Sequence, residues 1–269
     1  MTTSQIALKV APSSHRDALT GWIFSACNVG TFFALWEVFA RTGTLNELFF
    51  PAPSAVATRL WELFASGFIW IHMWSSFQNF AIGMALSCLI AVPLGLAMGA
   101  RRLVGAVVSP YVWALAAMPT VALVPLVVLF LGFTDAAKIA LIVVGATFPI
   151  MINVMAGVKT VDHSLVTAAR VFGAKPHTVY VRVVLPNTAP FVISGINQGM
   201  AQALIGLVVA EMFATNRGLG HLLVKAQSAF DAPMLYGVML LLIAISLSFV
   251  QLMNLAERKA APWQDEREM

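Results

Sequence analysis

The stretch Thr167–Asn187 gathers polar and charged side chains in a chain that otherwise consists of long apolar segments. Its basic residues are Arg170, Lys175, His177 and Arg182. The sequence contains no G-x-x-x-x-G-K-[ST] phosphate loop, no H-E-x-x-H and no G-x-S-x-G. We therefore predict no catalytic residues, and we interpret this basic insert as a segment that binds rather than reacts.

A short helix is predicted at the start of the basic insert. Asp162 or Ser164 can cap its N-terminus, and Gly173 can end it by adopting φ > 0. One helical face carries an apolar stripe with small residues at its centre. The stripe consists of Leu165, Ala168, Ala169 and Phe172. Such a stripe favours close contact with another surface, which is either a partner protein or the rest of this chain.

The second part of the insert has two competing patterns. Val179, Val181 and Val183 alternate with polar residues, which is typical of a strand. Pro176 at a first helical position and Pro186 just beyond a helix end favour a helix instead. Because a lone strand beside a bilayer has no pairing partner, we predict a helix that ends before Pro186.

A later apolar segment carries two parallel rows of residues at helical spacing. Gly195, Gly199 and Ala203 recur every four positions, a pattern typical of close helix contacts in membranes. The neighbouring face holds Ser194, Gln198 and Gln202. These three side chains either line a polar pathway or form ordinary interhelical hydrogen bonds. Glu211, near the end of the same segment, is either part of an outer gate or docking site, or an acid at the membrane interface.

Composition indicates that lipid is the main solvent of this protein. The chain has 269 residues, of which 59% are hydrophobic and only 10% are charged. A soluble domain is about 45–50% apolar and about 25% charged. We predict an all-α polytopic protein with six transmembrane helices, at about 21–40, 76–99, 105–131, 138–157, 190–212 and 233–256. The first span is too long for a signal-peptide core and no convincing A-x-A site follows, so we expect it to be retained.

The distribution of basic residues predicts the orientation. With the N-terminus inside, eleven of the 16 lysines and arginines fall on the inner side and five on the outer side. The outer five are Arg41, Arg59, Lys138, Arg217 and Lys225. The positive-inside rule then places both termini, the tails 1–20 and 258–269 and the loop 158–189 in the cytoplasm. The absence of longer basic runs argues against nucleic-acid binding.

An amphipathic helix is predicted in the outer loop after the first span. Ser54 is its expected N-cap, and its apolar face consists of Val56, Leu60, Leu63 and Phe64. Trp70 and Trp74 are expected at the outer membrane interface.

The basic insert resembles the cytoplasmic signature of ATP-binding-cassette importer permeases. That signature reads Glu-Ala-Ala, three residues, Gly, nine residues, Ile, one residue, Leu-Pro. Here Thr167-Ala168-Ala169, Gly173, Val183 and Leu185-Pro186 occur at the same spacings, with Thr167 and Val183 departing from the signature. Segments such as "MPTVALVPLVVLFLGFTDAAKIALIV" and "AEMFATNRGLGHLL" resemble the nitrate, sulfonate and taurine branch of that family, over nearly the whole chain.

The resemblance implies a type I ABC importer permease fold in a bacterial plasma membrane. It implies a permease dimer that is a pathway rather than an enzyme, with two ATPase subunits at the inner face and an extracytoplasmic solute-binding protein. The helix at 164–172 would be the coupling helix that enters a groove of the ATPase. The implied coupling residues are Leu165, Thr167, Ala168, Ala169, Phe172, Gly173, Leu185 and Pro186. ATP and Mg would bind the partner ATPase, so no cofactor or metal is expected on this chain.

Two other functions compete with this interpretation. A secondary transporter usually carries ionisable groups at the membrane midplane, whereas Glu37 and Glu211 both lie near the outer ends of predicted spans. A membrane-embedded enzyme or assembly factor would not explain the spacing of the signature. The substrate is not resolved by the sequence, because selectivity in such importers is expected to lie largely in the binding protein.

Overall fold

The computed structural model describes residues 15–43, 46–214 and 216–260, and the regular elements within these ranges are helical. The all-α prediction is therefore confirmed for the described residues. The helices are α1 (His15–Arg41), α2 (Pro53–Ala65), α3 (Phe68–Ala100), α4 (Arg102–Ala116), α5 (Val124–Leu131), α6 (Asp135–Lys159), α7 (His163–Val171), α8 (Pro176–Val179), α9 (Leu185–Ala214), α10 (Leu219–Ser228) and α11 (Ala232–Ala260). A 3₁₀ turn, Thr120–Leu123, precedes α5, and a π turn, Tyr180–Val184, joins α8 to α9.

Four stretches of the described chain are long and apolar enough to cross a membrane. They are Phe68–Ala100, Asp135–Lys159, Pro176–Phe213 and Ala232–Met253. A fifth crossing forms if the bent pair α4 and α5 counts as one span. The remaining predicted span, 21–40, falls on α1 and stays a prediction. Residues 1–14 and 261–269, which include most of the two predicted tails, lie outside the described residues.

Helix α6 lies between α3 and α9 and makes its most extensive contacts with these two helices. Glycines permit the close approach on both sides. A Cβ atom on Gly83 of α3 would lie 2.4 Å from Cγ2 of Ile142, and one on Gly199 of α9 would lie 2.7 Å from Cγ1 of Ile150. Gly195 contacts the backbone of Ile150 in the same way. The predicted small-residue contact face is therefore confirmed, and its partner is α6.

Replacing Gly199 with leucine should destabilise this three-helix core, because the new side chain would overlap Ile150. Overpacking of a filled core typically costs about 1–3 kcal/mol. We expect lower membrane abundance and a lower Tm of the purified protein in detergent. Gly30→Leu is the matched control, because a Cβ atom at Gly30 would meet no described atom within 4 Å. Equal stability of the two variants would contradict the contact.

The predicted third span is broken into two helices. Helix α4 ends at Ala116, and the pair formed by α4 and the segment Thr120–Leu131 is bent by 89°. Pro119 occupies the break with an extended backbone, φ −61° and ψ 118°. Proline disfavours helical geometry in the residue before it and has no N–H to donate, so the helix stops there. Pro125 lies in the first turn of α5, where this missing N–H costs nothing.

The N-terminus of α2 is capped from another helix, so the prediction that Ser54 is its N-cap is wrong. Ala52 holds the N-cap position, and Ser54 lies inside the first turn. Oε2 of Glu37, on α1, accepts the Ser54 N–H at 3.0 Å, and Oε1 accepts the Ser54 hydroxyl at 2.7 Å. A carboxylate from a neighbouring helix thus replaces the local cap. The predicted apolar face of α2 is confirmed at Val56 and Leu63, which are both buried.

An ion pair fastens α2 to the start of α11. Nε and Nη2 of Arg59 donate to Oδ2 of Asp231 at 3.0 and 2.7 Å, and Nη1 donates to Oε2 of Glu62 at 2.9 Å. These hydrogen bonds, first that to Glu62 and then that to Asp231, raise the pKa of Arg59. Oδ1 of Asp231 also accepts the N–H of Met234 at 3.0 Å, which caps the first turn of α11.

The two ends of the helix bundle carry different sets of cations. At the end that contains α2 and α10, here called the α10 end, Lys138 donates to the backbone oxygen of Arg217. Lys225 of α10 lies 4.6 Å from the ring centre of Phe68, at the start of α3. At the opposite end, here called the α7 end, Arg102 and Lys159 line one cavity. These groupings agree with the division of charges that the sequence predicts for the two sides.

Candidate coupling segment and transport pathway

Helix α7 has well-defined caps at both termini, as predicted. Asp162 is the N-cap, and its Oδ1 accepts the N–H of Ser164 at 2.7 Å, which lowers the pKa of the Asp162 carboxyl. Gly173 has φ +80° and donates to the oxygen of Arg170 at 2.9 Å. The N–H of Ala174 bonds the oxygen of Ala169 at 3.0 Å. These two bonds form a Schellman motif, which fixes where the helix ends.

The apolar stripe of α7 is exposed. Phe172 is 90% exposed and Leu165 is 47% exposed, while Ala168 is exposed and Ala169 is half-buried. Val171, which the predicted stripe omits, is 79% exposed beside Phe172. Helix α7 packs on α8 and the π turn, and none of its residues is buried. The described part of the chain therefore leaves most of this stripe uncovered.

Thr167, which stands where the signature has an acid, uses its hydroxyl within α7. Its Oγ1 donates to the backbone oxygen of His163 at 2.8 Å. The side chain is exposed, and its hydroxyl oxygen keeps acceptor capacity for a second bond. A threonine here therefore bonds back to the first residue of the helix and offers no charge to a partner.

The chain continues from α8 through Pro186 into α9 without a break, so the predicted helix end before Pro186 is wrong. Tyr180–Val184 forms a π turn, in which the N–H of Leu185 bonds the oxygen of Tyr180. Asn187 and Thr188 then donate side-chain hydrogen bonds to the oxygens of Val183 and Val184 at 2.7 and 2.8 Å. The wider turn before Pro186 accommodates the proline, which has no N–H. Helix formation itself, rather than a strand, is confirmed.

Three polar residues of α9 share one exposed face, as predicted. Ser194, Gln198 and Gln202 are all exposed along the side of this helix. Nδ2 of Asn153, on α6, donates to Oε1 of Gln198 at 2.7 Å and to the oxygen of Pro149 at 2.8 Å. This hydrogen bond joins α6 to the polar face.

The break between α4 and α5 lies next to the same face. A Cβ atom built on Gly145 of α6 would lie 3.2 Å from the oxygen of Gln202 and 3.8 Å from Cγ2 of Thr120. The 3₁₀ turn, α6 and α9 therefore meet at Gly145. Thr120 and Gln202 contribute a hydroxyl and an amide group to these elements, and such groups can donate to or accept from a solute without a net charge of their own.

Glu211 is separate from this exposed face, because its side chain is fully buried at the α10 end. Its Oε1 accepts the hydroxyl of Ser76 at 2.7 Å, and its Oε2 accepts the N–H of Gly220 at 2.9 Å. Ser76 in turn accepts the N–H of Leu219 at 2.9 Å. Through these bonds, side chains of α3 and α9 bind the backbone at the start of α10.

Two further buried side chains bind the adjoining loop. Nδ1 of His72 lies 3.2 Å from both the nitrogen and the oxygen of Gly218. Nζ of Lys138, which is 1% exposed, donates to the oxygen of Arg217 at 3.1 Å and pairs with Asp135 at 2.8 Å. We name the group formed by His72, Ser76, Lys138 and Glu211 the loop clamp.

The loop clamp requires glycine at Gly218. This residue has φ +124°, a conformation that is essentially restricted to glycine. A Cβ atom here would also lie 2.1 Å from Cδ of Glu211. His72, Ser76 and Lys138 were not predicted as a site, because in the sequence they look like ordinary ends of apolar segments. The Gly-Leu-Gly run beginning at Gly218, close behind a buried acid, is the one local signal that such a contact exists.

Comparison with known proteins assigns the chain to a family. A family model described as binding-protein-dependent transport system inner membrane component matches residues 91–263. The range includes α7, the polar face of α9 and the loop clamp residues Lys138 and Glu211.

Named relatives extend the likeness over most of the chain. A protein of Bacillus subtilis named as an aliphatic sulfonates transport permease, SsuC, is 28% identical over 266 residues, which cover 99% of this chain and 95% of that protein. SsuC of Escherichia coli is 31% identical over 198 residues, which cover 72% and 74%. The taurine transport system permease protein TauC of Escherichia coli is 28% identical over 248 residues, which cover 89% and 90%.

Solved structures show the fold. A chain of the MetNI methionine ABC transporter, in an inward-facing conformation, matches with a TM-score of 0.61 at 19% identity, covering 72% of this chain and 98% of that chain. A chain of an amino acid ABC transporter matches with a TM-score of 0.57 at 17% identity, covering 76% and 96%. Because the family model matches residues 91–263 and SsuC of Escherichia coli is 31% identical, the chain belongs to the family of binding-protein-dependent transport system inner membrane components.

Proposed function

We propose that this protein is the transmembrane subunit of an ATP-driven importer in a bacterial plasma membrane. Two copies form the pathway, two ATPase subunits bind the α7 end, and a solute-binding protein delivers substrate to the α10 end. The observation that carries this proposal is the arrangement of α7. Its exposed apolar stripe is joined, through Gly173 and Lys175, to the continuous helix Pro176–Phe213 that bears the polar face.

The proposed mechanism follows from this connection. Docking of the α7 stripe on an ATPase would transmit movements of that subunit to α8 and α9. Because α9 packs closely on α6, a displacement of α9 would move the polar face relative to the broken α4–α5 segment. The solute would pass the hydroxyl and amide groups of Ser194, Gln198 and Gln202.

We propose a small anion, of the sulfonate, taurine or nitrate class, as the substrate. The relatives named for sulfonate and taurine transport support this class. The polar face supports it as well, because its described residues are neutral hydrogen-bonding groups without an acid that would repel an anion.

Uptake measurements in cells test the proposal. The protein is expressed with candidate ATPase and solute-binding subunits from the same organism, and uptake of labelled taurine, an alkanesulfonate and nitrate is compared. Replacement of the phosphate-loop lysine in the ATPase should abolish uptake, because ATP hydrolysis then stops. Uptake that survives this replacement and stops when ion gradients are collapsed would instead identify a secondary transporter.

Cysteine labelling tests the proposed orientation. The chain has two cysteines, Cys27 and Cys88, so both are first replaced with alanine. Single cysteines at Arg59 and Arg217 should then react with a membrane-impermeant maleimide in intact cells. A cysteine at Lys175 should react only after the cells are lysed. External labelling at Lys175 would reverse the assignment of the two ends.

A further inference from the structure

A cavity of about 520 Å³ opens at the α7 end of the bundle, where the end of α3, the start of α4 and the end of α6 meet. Glycines bring these elements together. A Cβ atom on Gly99 would lie 2.4 Å from Cβ of Val158, and one on Gly105 would lie 2.7 Å from the oxygen of Met98. Ala100 also lines the cavity. Small side chains therefore leave space at a place where the helices themselves are in contact.

The polar lining of this cavity is cationic. Arg102 and Lys159 both line it, Ser109 adds a hydroxyl group, and the lining contains no acidic residue. Among the side chains that the structure describes, neither cation forms an ion pair or a hydrogen bond. Ser109 donates to Sδ of Met155 at 3.7 Å, and a thioether is a weak acceptor that an anion can replace. Two cations that share a cavity without an acid produce a local field that favours an anion.

An exposed apolar strip lies beside the cavity on α4. Leu103 is 82% exposed, Val107 is 65% exposed and Tyr111 is 69% exposed, at spacings of four residues. Leu103 directly follows Arg102, and from there the strip turns around α4 so that Tyr111 lies on the side opposite Arg102 and Ser109. A phospholipid needs this combination, a cationic site for its phosphate next to an apolar surface for its acyl chains. A free anion would use only the cationic site.

We propose that this cavity binds the phosphate group of an anionic phospholipid. Arg102 and Lys159 hold the phosphate, Ser109 donates a hydrogen bond to it, and the acyl chains lie along Leu103 and Val107. The bound lipid links the start of α4 to the end of α6, only a few residues before α7. The cavity and its cations do not depend on the proposed function. Only the leaflet rests on it, because the proposed orientation places the α7 end at the inner leaflet.

Lipid titration of the purified full-length protein tests this site. The protein is placed in nanodiscs of phosphatidylcholine with increasing fractions of phosphatidylglycerol, and retained lipid is counted by native mass spectrometry. Arg102→Gln and Lys159→Gln should each weaken retention of phosphatidylglycerol about fivefold, since a cation near a membrane surface contributes about a fivefold factor. Arg101→Gln is the matched control, because it removes the same charge from an exposed neighbour that does not line the cavity.

A second variant and a second ligand complete the test. Ala106→Leu fills the cavity without changing charge, and it should also reduce retention. Inorganic phosphate is added to the delipidated protein in detergent, and its effect on Tm is compared with that of phosphatidylglycerol. Equal losses in Arg101→Gln and Arg102→Gln, or no preference for phosphatidylglycerol over phosphatidylcholine, would overturn the site. Stabilisation by inorganic phosphate equal to that by the lipid would show a free-anion site and overturn the lipid assignment.

Discussion

Ala168→Trp should abolish uptake while the membrane abundance of the protein stays unchanged. Ala168 lies at the centre of the exposed stripe of α7, so an indole group there replaces no buried contact of the described chain. If the stripe enters a groove of an ATPase, the added bulk overpacks that contact, which typically costs about 1–3 kcal/mol. A loss of 1.4 kcal/mol already lowers affinity about tenfold. The measurement is the amount of ATPase that co-purifies with the variant at matched membrane abundance.

Ala168 is a sharper position for this test than Ala169, because Ala169 is half-buried and a large side chain there also strains the chain itself. Arg170→Gln serves as the control. It changes an exposed side chain of the same helix, and exposed charges contribute little on average. Retention of the ATPase and of full uptake in Ala168→Trp would show that α7 is not the coupling site.

Gly218→Ala should strongly destabilise the protein and reduce uptake. Its Cβ atom would lie 2.1 Å from Cδ of the buried Glu211 side chain, and its φ of +124° disfavours any residue other than glycine. Backbone strain of this kind costs about 1–3 kcal/mol, and overpacking adds a similar amount. We expect a clearly lower Tm in detergent and faster proteolysis of the loop before α10.

Gly67→Ala is the matched control for Gly218→Ala. Gly67 also has a positive φ, +77°, but a Cβ atom there would meet no described atom within 4 Å. Gly67 lies in the left-handed helical region, with ψ −7°, which other residues adopt at lower cost than the conformation of Gly218, so the control should show milder strain, no overlap and a smaller fall in Tm. In a Glu211→Ala background, Gly218→Ala should cost less than in the wild type, because the overlapping carboxyl group is gone. Strictly additive effects of the two substitutions would argue against their contact.

Local signals in the sequence predicted the parts of the site that depend on neighbouring residues. Asp162 and Gly173 mark the start and the end of α7. Both signals are local, because a carboxylate cap and a positive φ depend only on a few consecutive residues. Gly195 and Gly199 predicted a close contact for the same reason, since their spacing alone places them on one helical face. The sequence did not predict which helix would pack against this glycine face, and the structure shows that it is α6.

Features that depend on distant parts of the chain escaped prediction. Ser76 and Glu211 are 135 positions apart, so no local pattern links them. Ser54 resembles an N-cap in sequence, yet Glu37 supplies the cap from a different helix. Pro186 looked like a helix end because a proline normally stops an α-helix, but the wider π turn before it lets the helix continue past it.

The π turn at Tyr180–Val184 also decides where this chain can tolerate a change in length. Successive residues of an α-helix are rotated by about 100°. Adding one residue to the α-helical part between Leu185 and Ser194 would therefore turn Ser194 and Gln198 by that angle relative to α7. A π turn holds one residue more than the α turn it replaces, so removal of one residue within Tyr180–Val184 can convert it to an α turn and leave the rest of α9 in register. Single-residue deletions should therefore be tolerated better inside the π turn than in the helix that follows it.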